Sequence, residues 1–296
     1  MDGRHLAKFR GFLTISELSV EIGRVPFDDI LSLIIHAHGV TYTNSLVVEL
    51  AKRGTPIVIC GSNHSPEAVV WPISGHHAQG ARMRAQWNAS RPLLKQLWKA
   101  VVIKKIHMQA AALNAFGFPD AGLLNLSNQV KSGDLDNIEA QAARRYWPMI
   151  MGKKFRRDRN LDGANAMLNY GYTILRATTS RAILGAGLHP TIGIHHHNSM
   201  NSFALSDDLM EPFRPLIDCM VVGLIRNGHI EVTPEVKYKL STIIAFDLTH
   251  NTNTTTVFNS IGRLILSLAQ SYELGRVSLD FPKDPTSLEL NSLGED

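Results

Sequence analysis

Apolar and polar residues change their rhythm about a quarter of the way along this chain. In the first part they alternate. Residues 11–15 (GFLTI) and 18–23 (LSVEIG) place apolar side chains at every second position, the period of half-buried strands. The runs 31–37 (LSLIIHA) and 56–61 (PIVICG) are continuously apolar, which predicts more deeply buried strands. Between them NSLVVELAKRG has helical spacing and a glycine stop at Gly54. VVWPI (69–73) predicts one more strand, and Pro72 assigns it to a sheet edge, because proline donates nothing to a ladder.

From Gly80 onward apolar residues recur every three or four positions. The spacing predicts helices over 83–113, interrupted at Pro92, and over 137–151, 161–183, 208–226, 233–248 and 255–272. The fold class read from this pattern is α+β. A small N-terminal β-rich domain, residues 1–75, precedes a larger all-helical domain, residues 80–296, and HHAQG (76–80) joins them. The acidic end, DFPKDPTSLELNSLGED, reads as a poorly ordered tail.

A chain of 296 residues exceeds one comfortable core, which agrees with two domains. Its hydrophobic content of 44% is ample for folding, yet no apolar run approaches the ~18 residues of a membrane span. The opening MDGRHLAKFR has charges where a signal peptide carries its apolar region. Cys60 and Cys219 stand in apolar contexts and read as buried free thiols, not as a disulfide framework or a thiolate zinc site. A cytoplasmic address is expected.

The formal net charge of +4 is modest but unevenly spread. Between Glu67 and Asp120 there is no acidic residue, while Arg82, Arg84, Arg91, Lys95, Lys99, Lys104 and Lys105 all lie there. A second cluster holds Arg144, Arg145, Lys153, Lys154, Arg156, Arg157 and Arg159. Blocks of this kind are often solvated helix faces. Two of them in one enzyme-sized chain point to a phosphate-backbone partner, whose binding gains from counterion release.

Candidate chemistry concentrates in residues 196–215, HHNSMNSFALSDDLMEPFRP, where histidine, Asp207, Asp208 and Glu211 lie close together. Imidazole with carboxylate suits a divalent ion working on phosphate oxygens. Glu139 opens another arginine-rich helix, EAQAARRYW. Both glutamates have a plain structural explanation, since Asp136 with Glu139 and Asp208 with Glu211 have capping-box spacing. His195, His196 and His197 cannot all face one site in an extended segment. Spacing leaves open whether the middle one or the outer pair is used.

GLHPTIGIHHHNSMNSFALSDDLMEPFRPLID (187–218) resembles the signature of the CRISPR-associated integrase family, the universal endonuclease-like subunit of spacer acquisition. That signature runs from a Gly-x-x-Pro turn through a histidine element to an S-L-A-L-D-L-M-E-x-F-R-P helix. NIEAQAARRYW and NAMLNYGYTIL (165–175) are similar to the family's E-[GA]-x-A-A-R-x-Y and N-x-x-L-N-x-x-Y elements. RGFLTI, IIHAHG and GHHAQGARMRAQ extend the likeness over most of the chain. In the family the ligand histidine precedes the ligand acid by fifteen positions, as His196 precedes Glu211. The resemblance therefore implies Glu139, His196 and Glu211 as catalytic metal ligands for Mg²⁺ or Mn²⁺, with Mn²⁺ favoured by the imidazole. Asp207 is a departure that adds a carboxylate near the site.

The implied activity is metal-dependent DNA integrase and endonuclease chemistry of CRISPR adaptation. A 3′-hydroxyl of a short foreign DNA fragment attacks a phosphodiester at the border of a repeat. The second domain would be catalytic. The implied partners are double-stranded DNA with single-stranded ends, repeat DNA, a second copy in a homodimer formed through the N-terminal domain, and a small ferredoxin-like protein. The N-terminal elements are nearest the branch that accompanies a single-protein RNA-guided effector nuclease. Arg82, Arg84, Lys153, Lys154, Arg156 and Arg157 are the candidate phosphate contacts, and Tyr172 is a candidate contact to a strand end, against its simpler reading as a core aromatic. Two other classes compete. A phosphohydrolase acting on small esters would keep the site without needing two basic blocks, and a non-catalytic DNA-binding scaffold would use the glutamates only as caps.

Overall fold

The computed structural model describes residues 3–35, 39–61, 66–70, 72, 78–196, 201–250, 253–291 and 293. Strands β1 (Arg4–Phe9), β2 (Phe12–Glu17) and β3 (Val20–Pro26) form an antiparallel meander. Its two-residue turns, Arg10–Gly11 and Leu18–Ser19, have positive φ throughout, the backbone that matches the strands' own twist. The segments β4 (Leu33–Ile35) and β5 (Thr41–Tyr42) follow, then α1 (Asn44–Lys52), β6 (Ile57–Cys60) and β7 (Pro66–Val70). They make a four-stranded sheet in the order β3-β2-β1-β5 and a three-stranded sheet in the order β4-β6-β7. Thr43 caps α1 by accepting from Leu46 N, and Leu46 and Leu50 of that helix are completely buried against Leu6, Leu13, Phe27 and Ile57. The last strand is an edge, as Pro72 suggested, but it lies at 66–70. Trp71 and Ile73 of the expected strand fall outside the described residues, as do His36, Ala37 and residues 76–77 of the junction at 76–80.

The rest of the chain is mainly helical: α2 (Gln79–Trp87), α3 (Arg91–Ala115), α4 (Leu123–Ser127), α5 (Ile138–Ile150), α6 (Ala164–Gly185), α7 (Ala204–Met210), α8 (Arg214–Arg226) and α9 (Pro234–Ser241), with α10 and α11 to follow. Ser90 caps α3 with Pro92 in its first turn, where a missing N–H costs nothing. Leu97, Trp98, Val101, Val102, Ile106 and Leu113 put α3 in the middle of the core. Gly171 lets α6 touch α8, since a Cβ there would stand 2.4 Å from Ile217 Cγ2. The β-rich part rests on the same helix. Val58 and Cys60 pack on Ala177, and Arg181 donates to Leu31 O at 2.9 Å.

Three expectations need correction. The helix expected at 208–226 is instead α7, a 3₁₀ turn over Glu211–Phe213, and α8, because Pro212 and Pro215 remove donors from a continuous ladder. The helix expected at 233–248 stops at Ser241 and a 3₁₀ turn. A hairpin of β8 (Asp247–His250) and β9 (Asn253–Thr256) then leads into α10 (Val257–Leu274), so this part is not all-helical. Leu248 and His250 are buried and alternate with exposed Asp247 and half-buried Thr249, a period of two that a threonine-rich segment favours. The acidic end is not a loose tail through Asn291. Pro282, Pro285 and Leu290 are buried, α11 (Ser287–Asn291) forms there, and Asp284 pairs with Lys104.

Candidate metal centre and nucleic-acid cleft

The loop after α6 is shaped by one carboxylate. Asp208 on α7 is fully buried and accepts from Ile194 N at 2.6 Å, His195 N at 2.9 Å and His196 N at 3.4 Å. It also meets Nδ1 of His196 at 2.5 Å. Gly193 makes this wrap possible, because a Cβ there would stand 2.6 Å from His196 O and 2.9 Å from Asp208 Oδ2. His195 stacks face to face on Trp98 with ring centroids 4.3 Å apart, and His196 meets the same indole edge-on. The two histidines thus have different tasks, one packed and one aimed. His197 lies outside the described residues. With Nδ1 bonded to Asp208, Nε2 of His196 is the nitrogen left for a ligand, the carboxylate–histidine pairing common at metal centres.

Neither glutamate is a cap. The first N–H groups of α5 are taken by Asp134, from Ile138 N at 2.8 Å and Glu139 N at 3.0 Å, and by Asn137. Asp136, the expected cap, pairs with Lys131 instead. Asp208 lies inside α7 and serves the histidine loop. Oε1 of Glu139 and Oε2 of Glu211 both reach Nζ of Lys105, at 2.5 Å each. The Glu139 contact is a directed hydrogen bond. At Glu211 Oε2 the ammonium lies off the bonding direction, so that contact is one of charge. Arg214 holds Oε1 of Glu211 at 2.8 Å. Burial alone would raise the Glu211 carboxyl, but Arg214 and Lys105 outweigh it and hold it below the usual range. The hydrogen bond to Asp208, working against burial, raises His196.

The two carboxylate oxygens are therefore separated by no more than twice 2.5 Å, and a positive group already bridges them. A divalent ion with oxygen ligands at about 2.1 Å asks for a similar spacing. Among the described residues no three His, Cys, Asp or Glu side chains already converge as a ligand shell. Lys105 occupies that position, and its ammonium stands in for a cation. Two oxygens and one imidazole nitrogen suit Mg²⁺ or Mn²⁺, so the residues fit the group.

A polar cleft of about 780 Å³ opens beside this centre. His196, Glu211, Arg214, Arg157, Arg159 and Arg176 line it, and Glu67 and Val69 of β7 form part of its wall. Asn165 and Asn169, one turn apart on α6, bind the basic loop to it. They accept from Arg157 at 3.0 and 2.7 Å and donate to Arg156 O and Arg159 O at 3.0 and 2.8 Å. Beneath lies a buried staple of three helices. Tyr146 of α5 and Tyr172 of α6 both donate to Asp218 of α8, at 2.9 and 2.5 Å. Burial pushes the Asp218 carboxyl up to about 6 despite these bonds.

The two basic blocks are divided between surface and core. Lys153, Lys154, Arg156 and Arg84 are exposed. Arg82 is not a free contact. It pairs with Glu273 at 2.9 Å and donates to Ala186 O, so it belongs to the fold. Lys104 and Lys105 are buried on α3 and also leave the surface block. Tyr172 is a core aromatic only 7% exposed, and the guanidiniums of Arg157 and Arg214 lie over its ring at 5.4 and 4.9 Å. With its hydroxyl on Asp218 and two guanidiniums over its ring, Tyr172 offers no face to a strand end. Lys105 was missed as a site residue, although a readable signal existed: α3 is apolar on nearly every side, so lysines inside it must be paired.

The profile of the family described as CRISPR associated protein Cas1 matches residues 1–246. The chain belongs to this family. CRISPR-associated endonuclease Cas1 of Neisseria meningitidis serogroup C (strain 8013) is 38% identical over 220 residues, 73% of this chain and 72% of its own. Among solved structures, a casposase bound to integration product superposes with a TM-score of 0.82 at 20% identity, covering 100% of this chain and 98% of that one. A Cas6-RT-Cas1–Cas2 complex gives 0.76 at 17% identity, covering 96% of this chain and 35% of that one. The Cas1 relationship accounts for the α+β fold, with its β-rich start and helical remainder. No helix among the described residues is long and apolar enough to cross a membrane.

Proposed function

We propose that this Cas1-family protein is a metal-dependent DNA integrase and endonuclease of CRISPR adaptation, joining the 3′-hydroxyl of a short DNA fragment to a phosphodiester at a repeat border. The observation that carries the reading is the pair Glu139 and Glu211 around one cationic position, with His196 held by Asp208 at the mouth of an arginine-lined cleft. Glu139, His196 and Glu211 would hold Mg²⁺ or Mn²⁺, which supplies Lewis acidity for phosphoryl transfer. Asp208 keeps Nδ1 of His196 occupied so that Nε2 faces outward. Arg214 and Arg157 give the cleft fixed positive charge for the phosphate oxygens, in a site where preorganised donors act strongly. Lys153, Lys154 and Arg156 extend that charge along the backbone of the DNA, and Arg84 adds a separate exposed contact.

A DNA substrate is favoured over a small phosphate ester because the cleft is open and lined by Arg157, Arg159, Arg176 and Arg214. The endonuclease name of the Neisseria relative and the integration product of the casposase support the same class. The Cas1–Cas2 neighbour supports a Cas2 partner, which in this reading is the small ferredoxin-like protein. A homodimer through the N-terminal sheets, repeat DNA and association with an RNA-guided effector nuclease complete the proposed assembly.

Half-site integration tests this. A labelled duplex with 3′-hydroxyl overhangs, a repeat-bearing plasmid and the small partner should give covalent products with Mn²⁺ and none with chelator. Turnover of nitrophenyl phosphate esters without any DNA joining would support the phosphohydrolase instead.

A further inference from the structure

Lys105 is placed unusually for a lysine. It projects from the apolar heart of α3, and its ammonium bridges Glu139 and Glu211 at 2.5 Å each. Its neighbour Lys104 faces elsewhere and pairs with Asp284 of the C-terminal segment at 2.5 Å. The two buried charges of α3 are therefore neutralised by separate partners. Arg214 binds Glu211. Among the described residues, Lys105 is the cation that Glu139 meets.

Two carboxylates brought this close, one of them with a side chain only 4% exposed, repel each other unless a positive charge lies between them. A divalent ion and the Lys105 ammonium seek the same oxygens, so they compete. We propose that Lys105 is the built-in counter-ion of this centre, holding Glu139 and Glu211 together until a divalent cation displaces its ammonium. The proposal rests on the reading that those two glutamates hold the cation. It adds a consequence which that reading lacks. The metal-free protein is kept folded by Lys105, and metal binds against an internal competitor rather than into an open acidic trap.

The two effects are reciprocal. Whatever Lys105 contributes to the metal-free fold is subtracted from the binding of metal. Removing its charge should weaken the metal-free protein and strengthen the binding of metal, an opposed pair that loss of packing does not produce.

The full-length protein, stripped of metal, is compared with Lys105→Met, which keeps an unbranched chain without charge, and with Lys105→Arg, which keeps the charge. Mn²⁺ affinity is read from the electron paramagnetic resonance signal of free ion, and thermal midpoints are measured with chelator and with Mn²⁺. Lys105→Met should melt lower than wild type in chelator, bind Mn²⁺ about tenfold or more tightly, and recover its midpoint when Mn²⁺ is added. Lys105→Arg should stay near wild type on both scales. If Lys105→Met is unfolded in chelator, refolding on addition of Mn²⁺ supports the proposal, and failure to refold overturns it. Unchanged or weaker Mn²⁺ binding by folded Lys105→Met overturns it as well. Wild type and Glu211→Gln separate the two layers. Binding that Glu211→Gln abolishes but Lys105→Met leaves unimproved refutes only the counter-ion role. No Mn²⁺ binding to wild type, or equal binding to Glu211→Gln, refutes the metal reading and the counter-ion role with it.

Discussion

Asp208 meets Nδ1 of His196 at 2.5 Å while its two oxygens also accept from the backbone N–H groups of residues 194–196. One carboxylate thus fixes both the loop and the direction of its ring. Asp208→Asn should cost about 1.5–3 kcal/mol of stability, the range for hydrogen bonds to a charged group. Chemical denaturation measures the loss. A variant as stable as wild type would show that the loop is held by something else.

The histidines should separate by function. His196→Ala should abolish strand transfer in a protein that still folds and binds DNA. His195→Phe keeps a ring to stack on Trp98 and should retain most activity. Equal loss in both variants would mean that the segment acts only as packing.

Much of the fold was legible because periodicity tracks burial. The alternation at 11–15 is β2, and the long apolar repeat after Pro92 is α3. The alternation at 18–23 also gives a strand, β3, but its apolar side chains Val20 and Ile22 are exposed and not half-buried as expected. Strand β1 escaped because HLAKFR carries charge on a short edge of the pattern, and β8 and β9 escaped because a few threonines follow a helical stretch. The glutamates were ambiguous for a physical reason, since carboxylates near a helix start look alike whether they cap or coordinate. The structure removes the capping explanation by giving the N–H groups of α5 to Asp134 and Asn137. The apolar surroundings of Lys105 on α3 mark it as a paired lysine, but a run of basic residues carries no record of which carboxylates its side chain meets.

The basic surface predicts a salt effect. Affinity for duplex DNA should fall with a log–log slope of about −0.9 per phosphate contact. Neutralising Lys153, Lys154 and Arg156 should lower affinity on all sequences and flatten that slope. Arg82→Ala should leave the slope alone and lower the melting temperature, because it breaks the Glu273 pair. Salt-independent binding would remove the case for backbone contacts.

Stability should also report on Asp218. Its carboxyl is raised from 3.8 to about 6 by burial, and the bonds from Tyr172 and Tyr146 only partly counter this. The folded protein then holds a proton that the unfolded chain releases, so stability falls as pH rises from about 4 to 6 and levels off above. The span corresponds to about 3 kcal/mol. Asp218→Asn should flatten this part of the pH profile. A wild-type profile that rises through the same window would contradict the buried, protonated carboxyl.

Assembly should proceed through the meander of β1, β2 and β3, where Leu18, Val20 and Ile22 are exposed. The intact protein is expected to be a homodimer, and Val20→Asp with Ile22→Asp should yield monomers. Light scattering distinguishes them, and a monomeric wild type at micromolar concentration would refute this arrangement.

Disintegration of a branched integration intermediate tests the central claim most directly, because it needs strand transfer but not fragment capture or the full assembly. Wild type should resolve the branch with Mn²⁺ and stop with chelator. Glu139→Gln and Glu211→Gln should remain folded, bind the branch and resolve none of it. Resolution by either variant at the wild-type rate, or by wild type in chelator, would contradict a metal-dependent strand transfer centred on Glu139, His196 and Glu211.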